Sequence, residues 1–510
     1  MRRIMANLPA PRSGKFYSTA ELEEILTRSD SEDEFIESRI DPEWDEQDEN
    51  QAEAEVLEKL QAPVSPAESV TDSEGESDFP TFDFNWEQTD FKPTVFRFDS
   101  ASRCTVDHLG AESSALDCFE IFLTQDIIHF IVEETNNYYK YVCEHTNVIE
   151  NSRLVSWKDT NIEELWRFFG LTMLMPRSKK LQISEYWSKD SLLKTPIFGE
   201  MMSRDRYLII LRLLHFCDNN SPKNNDTLFK LRKLVDHFRD SFKSTFRPGK
   251  ELCIDESLFL FKGRLFFKQY IPAKRHRFGV KLFVLCDSKT GYILDFIVYT
   301  GKTTELNESN RFGVTGDVVL TLLQPYLDAG HCLYIDNWYT SPDLFLWLYS
   351  RSTNACGTVK KNRKNMPEMA EKLKKGKLTF RSTSDKLLAV KYCDKREVYM
   401  LTTANDCSTA PTGKVDRSTG RQIMKPECIV RYNKFMGAVD KTDMLLHSVE
   451  CIRRTTKWYK KLFFHFLDLA LLNSHVIYKE ITKKSIPLAK FQMDLIREIL
   501  AKYPSPSGYE

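Results

Sequence analysis

Over residues 115–142, Phe119, Phe122, Leu123, Ile127, Phe130 and Ile131 recur at helical spacing, which predicts an amphipathic helix. Thr160 followed three residues later by Glu163 has the form of a capping box. The helix it opens would carry Leu165, Phe168, Phe169 and Leu171 and stop before Pro176. The same period returns over residues 203–216 and 227–246. At Glu251 the pattern shortens to β-rich runs at 252–261, 264–271, 279–285 and 292–299. Gly263, the pair Pro272-Ala273 and the turn Asp287-Ser288-Lys289-Thr290-Gly291 divide them, so they predict an antiparallel meander. A helix at 318–327, a buried strand at 332–335, a helix at 342–349 and a strand at 355–359 follow. Three more strands are predicted at 378–381, 387–392 and 398–402, then a polar, turn-rich stretch at 404–421. Helices close the chain at 432–446, 458–478 and 488–501.

This order predicts an α/β fold. A three-stranded meander followed by helix–strand–helix–strand is the order of an RNase H-like core, interrupted here by a β-rich insertion and set in a mainly helical region. The expected divisions are an acidic, disordered tail at 1–110, a helical region at 111–250 and the first part of the core at 251–360. The insertion at 361–427, the last part of the core at 428–450 and a final helical region at 451–510 complete them.

Charge sharpens the picture. Residues 1–100 carry 9 Lys and Arg against 26 Asp and Glu, leaving 63 against 47 for the rest of the chain. An acidic tail on a basic body predicts a polyanion as the body's partner. Hydroxyls lie next to acids in Ser29-Asp30-Ser31-Glu32 and Thr71-Asp72-Ser73-Glu74, where phosphorylation would add negative charge. The 12 cysteines are scattered without a Cys-x-x-Cys pair, which argues against a zinc module and for a reduced compartment, cytosol or nucleus. The most apolar stretch, 462–477, contains His465, Asp468, Asn473 and His475, so no membrane span is expected.

Three carboxylate signals carry the candidate chemistry. Asp255 lies in Ile254-Asp255-Glu256-Ser257, Asp336 closes the run Cys332-Leu333-Tyr334-Ile335, and Asp440 and Asp443 stand three apart in Val439-Asp440-Lys441-Thr442-Asp443. Two acids at strand ends and one on a helix are what a two-metal phosphodiester site needs, because hard oxygen ligands hold Mg²⁺ or Mn²⁺. Glu256 flanks Asp255, so the strand's register decides which of the two faces the site. Asp440 and Asp443 would share one helical face, where a cation relieves their repulsion. Basic runs surround the acids: Lys262/Arg264/Lys268, Lys274/Arg275/His276/Arg277/Lys281, Lys360/Lys361/Arg363/Lys364 and Arg453/Arg454/Lys457/Lys460/Lys461. The last interleaves with Trp458 and Tyr459, a pairing suited to phosphates and stacked bases. The run at 360–364 also suits nuclear import.

Motifs in one order resemble the piggyBac transposases. They include Tyr186-Trp187, Met202-Ser203-Arg204-Asp205-Arg206-Tyr207, Ile254-Asp255-Glu256-Ser257, Phe261-Lys262-Gly263-Arg264 and Tyr270-Ile271-Pro272-Ala273-Lys274. Phe278-Gly279-Val280-Lys281, Ile335-Asp336-Asn337-Trp338-Tyr339-Thr340-Ser341, Cys356-Gly357-Thr358-Val359, Tyr432-Asn433-Lys434, Gly437-Ala438-Val439-Asp440 and Lys457-Trp458 continue the series. The resemblance covers residues 115–480. It implies a catalytic, metal-binding triad of Asp255, Asp336 and Asp440, with Asp443 as a further acid, and a helical dimerisation and DNA-binding region. It implies Mg²⁺-dependent nicking, hairpin formation and strand transfer at TTAA in double-stranded DNA by a nuclear homodimer. Lys360 and Arg363 match basic positions that bear on DNA binding, although Arg is commoner at the first and Lys lacks its bidentate fork. Lys274, Arg275, Lys457 and Trp458 are the other expected DNA contacts. The family's usual cysteine-rich zinc module is not expected, since only Cys428 and Cys451 lie beyond Ile423. The alternative is a host-adopted DNA-binding or chromatin protein that keeps the fold without full transposition.

Overall fold

The computed structural model describes residues 82–506 apart from 147–151, 262, 264, 272–277, 310, 384–385, 416, 418–419 and 452–456. Its helices are α1 (Ala115–Glu120), α2 (Gln125–His145), α3 (Ile162–Leu174), α4 (Pro196–Met201), α5 (Arg204–Leu213), α6 (Arg232–Thr245), α7 (Gly313–Leu323), α8 (Pro342–Ser350), α9 (Glu427–Phe435), α10 (Ala438–Leu446), α11 (Trp458–Thr482) and α12 (Leu488–Lys502). The longer strands are β1 (Glu251–Leu260), β2 (Phe278–Asp287), β3 (Ile293–Val298), β4 (Cys332–Ile335), β5 (Asn354–Thr358), β6 (Leu378–Thr383), β7 (Leu387–Cys393), β8 (Glu397–Thr402), β9 (Thr409–Val415) and β10 (Gln422–Pro426).

The meander is present: β1 pairs antiparallel with β2 and β2 with β3. Crossovers through α7 and α8 then bring β4 parallel to β1 and β5 parallel to β4. The strand order β3-β2-β1-β4-β5 makes a mixed sheet. The segment 361–427 continues this sheet: β8 pairs with β5, β7 with β8 and β6 with β7, all antiparallel. An uncovered edge at β5 offers a row of unpaired backbone groups, and adding strands satisfies them. Within that segment the exposed hairpin β9–β10 forms a sheet of its own, and elsewhere Arg103–Cys104 pairs with Phe246–Arg247 in another two-stranded sheet.

Local chemistry moved several boundaries. The helix expected at 115–142 breaks after Glu120, because the Thr124 hydroxyl accepts from the Ile127 N–H and starts α2 afresh. Asn161, not Thr160, caps α3, accepting from the Glu164 N–H. The helix expected at 432–446 is two helices, divided at Met436–Gly437, where Gly437 takes the N-cap position of α10. Within the expected strand at 264–271, Gln269–Tyr270 is extended and pairs with the start of β2. The turn-rich stretch at 404–421 contains β9, whose exposed hairpin lacks a buried apolar face and so leaves no clear periodicity.

Helix α11 is buried along nearly its whole length, with polar side chains such as His465, Asp468 and Asn473 buried among the apolar ones. It packs against α1, α6, α10 and α12. No helix among the described residues is long and apolar enough to cross a membrane.

The N-terminal tail expected to be disordered to residue 110 is ordered from 82 onward. Residues 82–98 lie on the sheet as a strap. The backbones of Glu87 and Ser382 exchange hydrogen bonds at 2.9 and 2.8 Å, and Phe91 is buried. Asn354 then holds the strap on both sides, accepting from Phe96 N–H and donating to the Thr94 carbonyl. Gly330, at φ +78°, allows the Arg97 carbonyl to lie against it where a Cβ would collide. Residues 1–81 lie outside the described residues.

Candidate active site

Strand β1 is buried except at Asp255 and Glu256 near its middle and at Leu260 at its end, which reach intermediate exposure. In the parallel register Ile254 stands opposite Ile335. The next residues along the chain are Asp255 on β1 and Asp336 just past β4, so the two acids follow neighbouring points of the sheet. Asp336 directly follows β4, and the loop it opens is tightly held. Its carboxylate accepts from the Trp338 N–H at 2.8 Å, and its carbonyl accepts from the Thr340 N–H and hydroxyl. A Cβ at Gly357 would run into Thr340 Oγ1 and the Ile335 carbonyl, so glycine is what lets this loop rest on β5.

The third signal arrives on α10, which packs on β1. The Ser257 hydroxyl donates to Asp443 at 2.8 Å. Side chains alternate along a strand, so Asp255 shares the face of Ser257 and of α10. Glu256 takes the other face, where Lys281 pairs with it at 3.1 Å. That register resolves which neighbour joins the helix. Asp440 lies one turn before Asp443 on the same helical face, and both line a cavity between β1 and α10 that His465 of α11 also borders.

Electrostatics mark this centre. Burial, with the nearby Glu256 carboxylate, raises the Asp336 carboxyl above its ordinary range, while the Trp338 N–H and Lys281 act against the shift. Burial raises the Tyr339 phenol, and the charges of Glu256, Asp255 and Asp336 add to it. Burial also raises the Tyr432 phenol on α9, with Asp336 and Asp255 contributing and Thr358 opposing. Tyr339, Tyr432 and the Glu256–Lys281 pair were not singled out from the sequence; only their motif positions could have pointed to them.

The carboxylates have local partners. Asp255 accepts from the Glu256 N–H at 2.9 Å, Asp336 from Trp338 and Asp443 from Ser257. Among the described residues no three His, Cys, Asp or Glu side chains converge as a metal-ligand group. Carboxylate oxygens are hard donors, the type a divalent cation such as Mg²⁺ takes.

The expected DNA contacts divide. Lys360, Lys361 and Lys364 are exposed beside the Asp336 loop. Arg363 turns inward and donates to the carbonyls of Asn337 and Trp338 at 2.7 and 2.9 Å, so it braces that loop. Trp458 is half-buried edge-on against Phe267, with ring centroids 5.4 Å apart. Lys457 is half-buried, whereas Lys460 is buried and donates to the carbonyls of Leu211 and Arg212 at the end of α5. Lys281 is likewise drawn from the basic surface, over the rings of Phe283 and Trp338. Lys274 and Arg275 lie outside the described residues.

A sequence model of the family described as Transposase IS4 matches residues 114–475. The human PiggyBac transposable element-derived protein 2 is 23% identical over 417 residues, covering 77% of this chain and 66% of that protein. Human PiggyBac transposable element-derived protein 3 is 24% identical over 404 residues, with 76% and 65% covered. The match therefore spans just under two thirds of the length of these relatives. Among solved structures, the cryo-EM structure of a piggyBac transposase synaptic complex with hairpin DNA superposes with a TM-score of 0.69 at 27% identity. That match covers 80% of this chain and 85% of the other.

Proposed function

The chain belongs to the piggyBac group within the Transposase IS4 family, and from that premise we propose that it is a DNA strand-transferase built on an RNase H-like core. The observation that supports this reading is the parallel pairing of Ile254 with Ile335, the residues just before Asp255 and Asp336, together with the Ser257–Asp443 bond that ties α10 to the same strand. The substrate is double-stranded DNA containing TTAA, acted on by a homodimer in the nucleus through nicking, hairpin formation and strand transfer.

Asp255, Asp336 and Asp440 would hold Mg²⁺ or Mn²⁺. Bound there, the ion would polarise the scissile phosphate and acidify the attacking water or 3′-hydroxyl. The chain's own residues supply the rest. Neighbouring strands lead to two of the carboxylates, and Arg363 braces the loop that follows Asp336. Lys281 offsets Glu256, so that not every carboxylate at the centre adds uncompensated negative charge. Exposed Lys360, Lys361 and Lys364 would steer the phosphate backbone.

The test is a cleavage and strand-transfer assay with purified protein, Mg²⁺ or Mn²⁺, and duplex oligonucleotides bearing TTAA. The wild type is expected to nick and join. Asp255→Asn, Asp336→Asn and Asp440→Asn are each expected to lose cleavage and keep salt-dependent DNA binding. If the wild type binds DNA but never cleaves it with either ion, the chain is a DNA-binding protein on a transposase fold.

A further inference from the structure

The loop that leaves α5 carries His215, Cys217 and Asn219 at alternate positions. His215 is buried, and Cys217 and Asn219 are half-buried. The His215 Nε2 lies 3.4 Å from the Cys217 Sγ and 3.0 Å from the Asn219 Oδ1. On the other side of the ring, Nδ1 lies 3.5 Å from the hydroxyl of Tyr459, at the start of α11. The ring stacks on Tyr138 of α2, with centroids 4.0 Å apart and planes 7° from parallel. At the far end of the Asn219 amide, Nδ2 is buried and has no hydrogen-bond partner among the described residues. Buried polar atoms are normally paired, so this donor calls for an acceptor.

We propose that Cys217 is a reactive thiol, reversibly oxidised by peroxides, with His215 as its proton acceptor and Asn219 as the group that holds the product. The thiolate is the nucleophilic form of cysteine, and a protonated imidazole beside it favours that form. The surroundings of His215 suit the imidazolium. Both ring nitrogens then donate, Nε2 towards the sulfur and the Asn219 carbonyl oxygen, Nδ1 towards the Tyr459 oxygen. The face of Tyr138 attracts the cation. Of the charged groups around the pair, Asp218 and Glu134 favour the imidazolium, and Lys230, over the Tyr459 ring, favours the thiolate. In the reaction the sulfur attacks one oxygen of hydrogen peroxide. An S–O bond forms as the O–O bond breaks, and the peroxide takes up both electrons. The hydroxide released takes the proton from His215 and departs as water. The product is a sulfenic acid, whose oxygen is the acceptor that Asn219 Nδ2 lacks. A small thiol reverses the step: one molecule condenses with the sulfenic acid and releases water, and a second reduces the mixed disulfide. Other thiols are placed differently. Cys143 of α2 is exposed and has the Tyr139 phenol as a partner, and Cys286 is buried with its thiol raised. The inference does not depend on the strand-transfer reading.

The test uses the full chain and follows each cysteine by peptide mass spectrometry. With iodoacetamide in excess, Cys217 is expected to be alkylated severalfold faster than Cys143, although Cys143 is the more exposed. A separate sample receives hydrogen peroxide and then dimedone, which traps sulfenic acids. The adduct is expected at Cys217 at peroxide concentrations that leave Cys143 unlabelled, and dithiothreitol added before dimedone should abolish it. His215→Gln keeps a hydrogen-bonding amide but cannot take up the proton, so it should slow both reactions at Cys217 to the rates at Cys143. His215 is buried, so Asn219→Ala in the half-buried part of the loop is the second variant, and it should lower the dimedone adduct severalfold. The comparison of Cys217 with Cys143 in the unaltered protein needs no variant. Alkylation of Cys217 no faster than that of Cys143, no dimedone adduct at Cys217, or reactions at Cys217 unchanged in both variants overturns the proposal.

Discussion

The Ser257 hydroxyl donates to the Asp443 carboxylate at 2.8 Å, joining strand β1 to helix α10 across 186 residues of chain. This bond fastens the element that carries Asp440 to the strand that carries Asp255. A hydrogen bond to a charged group contributes about 1.5–3 kcal/mol, and less where water competes. Ser257→Ala is therefore expected to cost about 1 kcal/mol of stability in urea titration, and to depress strand cleavage while leaving DNA affinity unchanged. Ser257→Thr keeps a hydroxyl and should recover most of the cleavage. Equal activity in Ser257→Ala and wild type would show that α10 is held in place without this bond.

Asp336 is held above its unfolded carboxyl value by burial and by Glu256. A carboxyl raised in the fold contributes stability below the unfolded value and loses that contribution as pH rises through the folded value. At neutral pH the ionised side chain thus destabilises the protein. Asp336→Asn keeps the shape and should raise Tm at pH 7 while abolishing cleavage. The pH-dependent part of the difference in Tm should close as pH falls below about 4, where both states bind the proton. A variant no more stable than wild type at pH 7 would mean that Asp336 is better solvated than its burial implies.

The sequence carried the meander and both crossovers because β-rich runs and buried strands leave strong local signals. Cys332–Ile335 is a strand with the limits its apolar run predicts. It could not show that β6, β7 and β8 extend the core sheet, since edge pairing depends on which backbone groups remain unmatched in three dimensions. Among the candidate site residues, Asp255, Asp336, Asp440 and Asp443 were legible as acids in or beside predicted elements, although Asp255 lies near the middle of β1 and not at a strand end as expected. Arg363 and Lys281 were legible only as basic residues. That one braces a loop and the other neutralises Glu256 depends on neighbours 25 residues or more away in sequence. His465 read as one polar residue in an apolar helix, and only the packing of β1, α10 and α11 puts it beside a cavity.

The strap separates two truncations that charge alone would treat as one. Residues 1–100 are strongly acidic, but 82–98 are packed, with Phe91 buried and Trp86 donating to the Asn365 carbonyl at 2.9 Å. Burying one such aromatic stabilises by about 1.5–3 kcal/mol. Deleting residues 1–81 should leave Tm unchanged and tighten DNA binding at low salt, the gain fading as salt screens the charges. Deleting residues 1–100 should lower Tm as well. Equal Tm values for the two truncations would remove the structural role of the strap, and unchanged affinity on deleting 1–81 would remove the competition between tail and DNA.

His465 gives the fold an acid limit of identifiable origin. Burial, with Lys461 one turn earlier on α11, pushes its proton affinity from 6.5 down to about 3. The groups facing it across the cavity are Asp440, Asp443, His447 and Glu450. Between the two values the unfolded chain binds a proton that the folded chain excludes. Stability from this group is therefore complete above pH 6.5 and lost as pH falls towards 3, at about 1.4 kcal/mol per pH unit. Asp468 on the same helix has its carboxyl raised by burial and acts in the opposite sense, so the total slope is not the measure. The measure is the difference between wild type and His465→Phe, which keeps a flat ring against Phe259 but cannot take a proton. Denaturant titrations from pH 7.5 to 4.5 should show wild type losing stability faster than the variant, with the gap opening below pH 6.5. Parallel curves would mean that His465 charges without unfolding the protein, which in turn would require the cavity to admit water and a counter-charge to its ring.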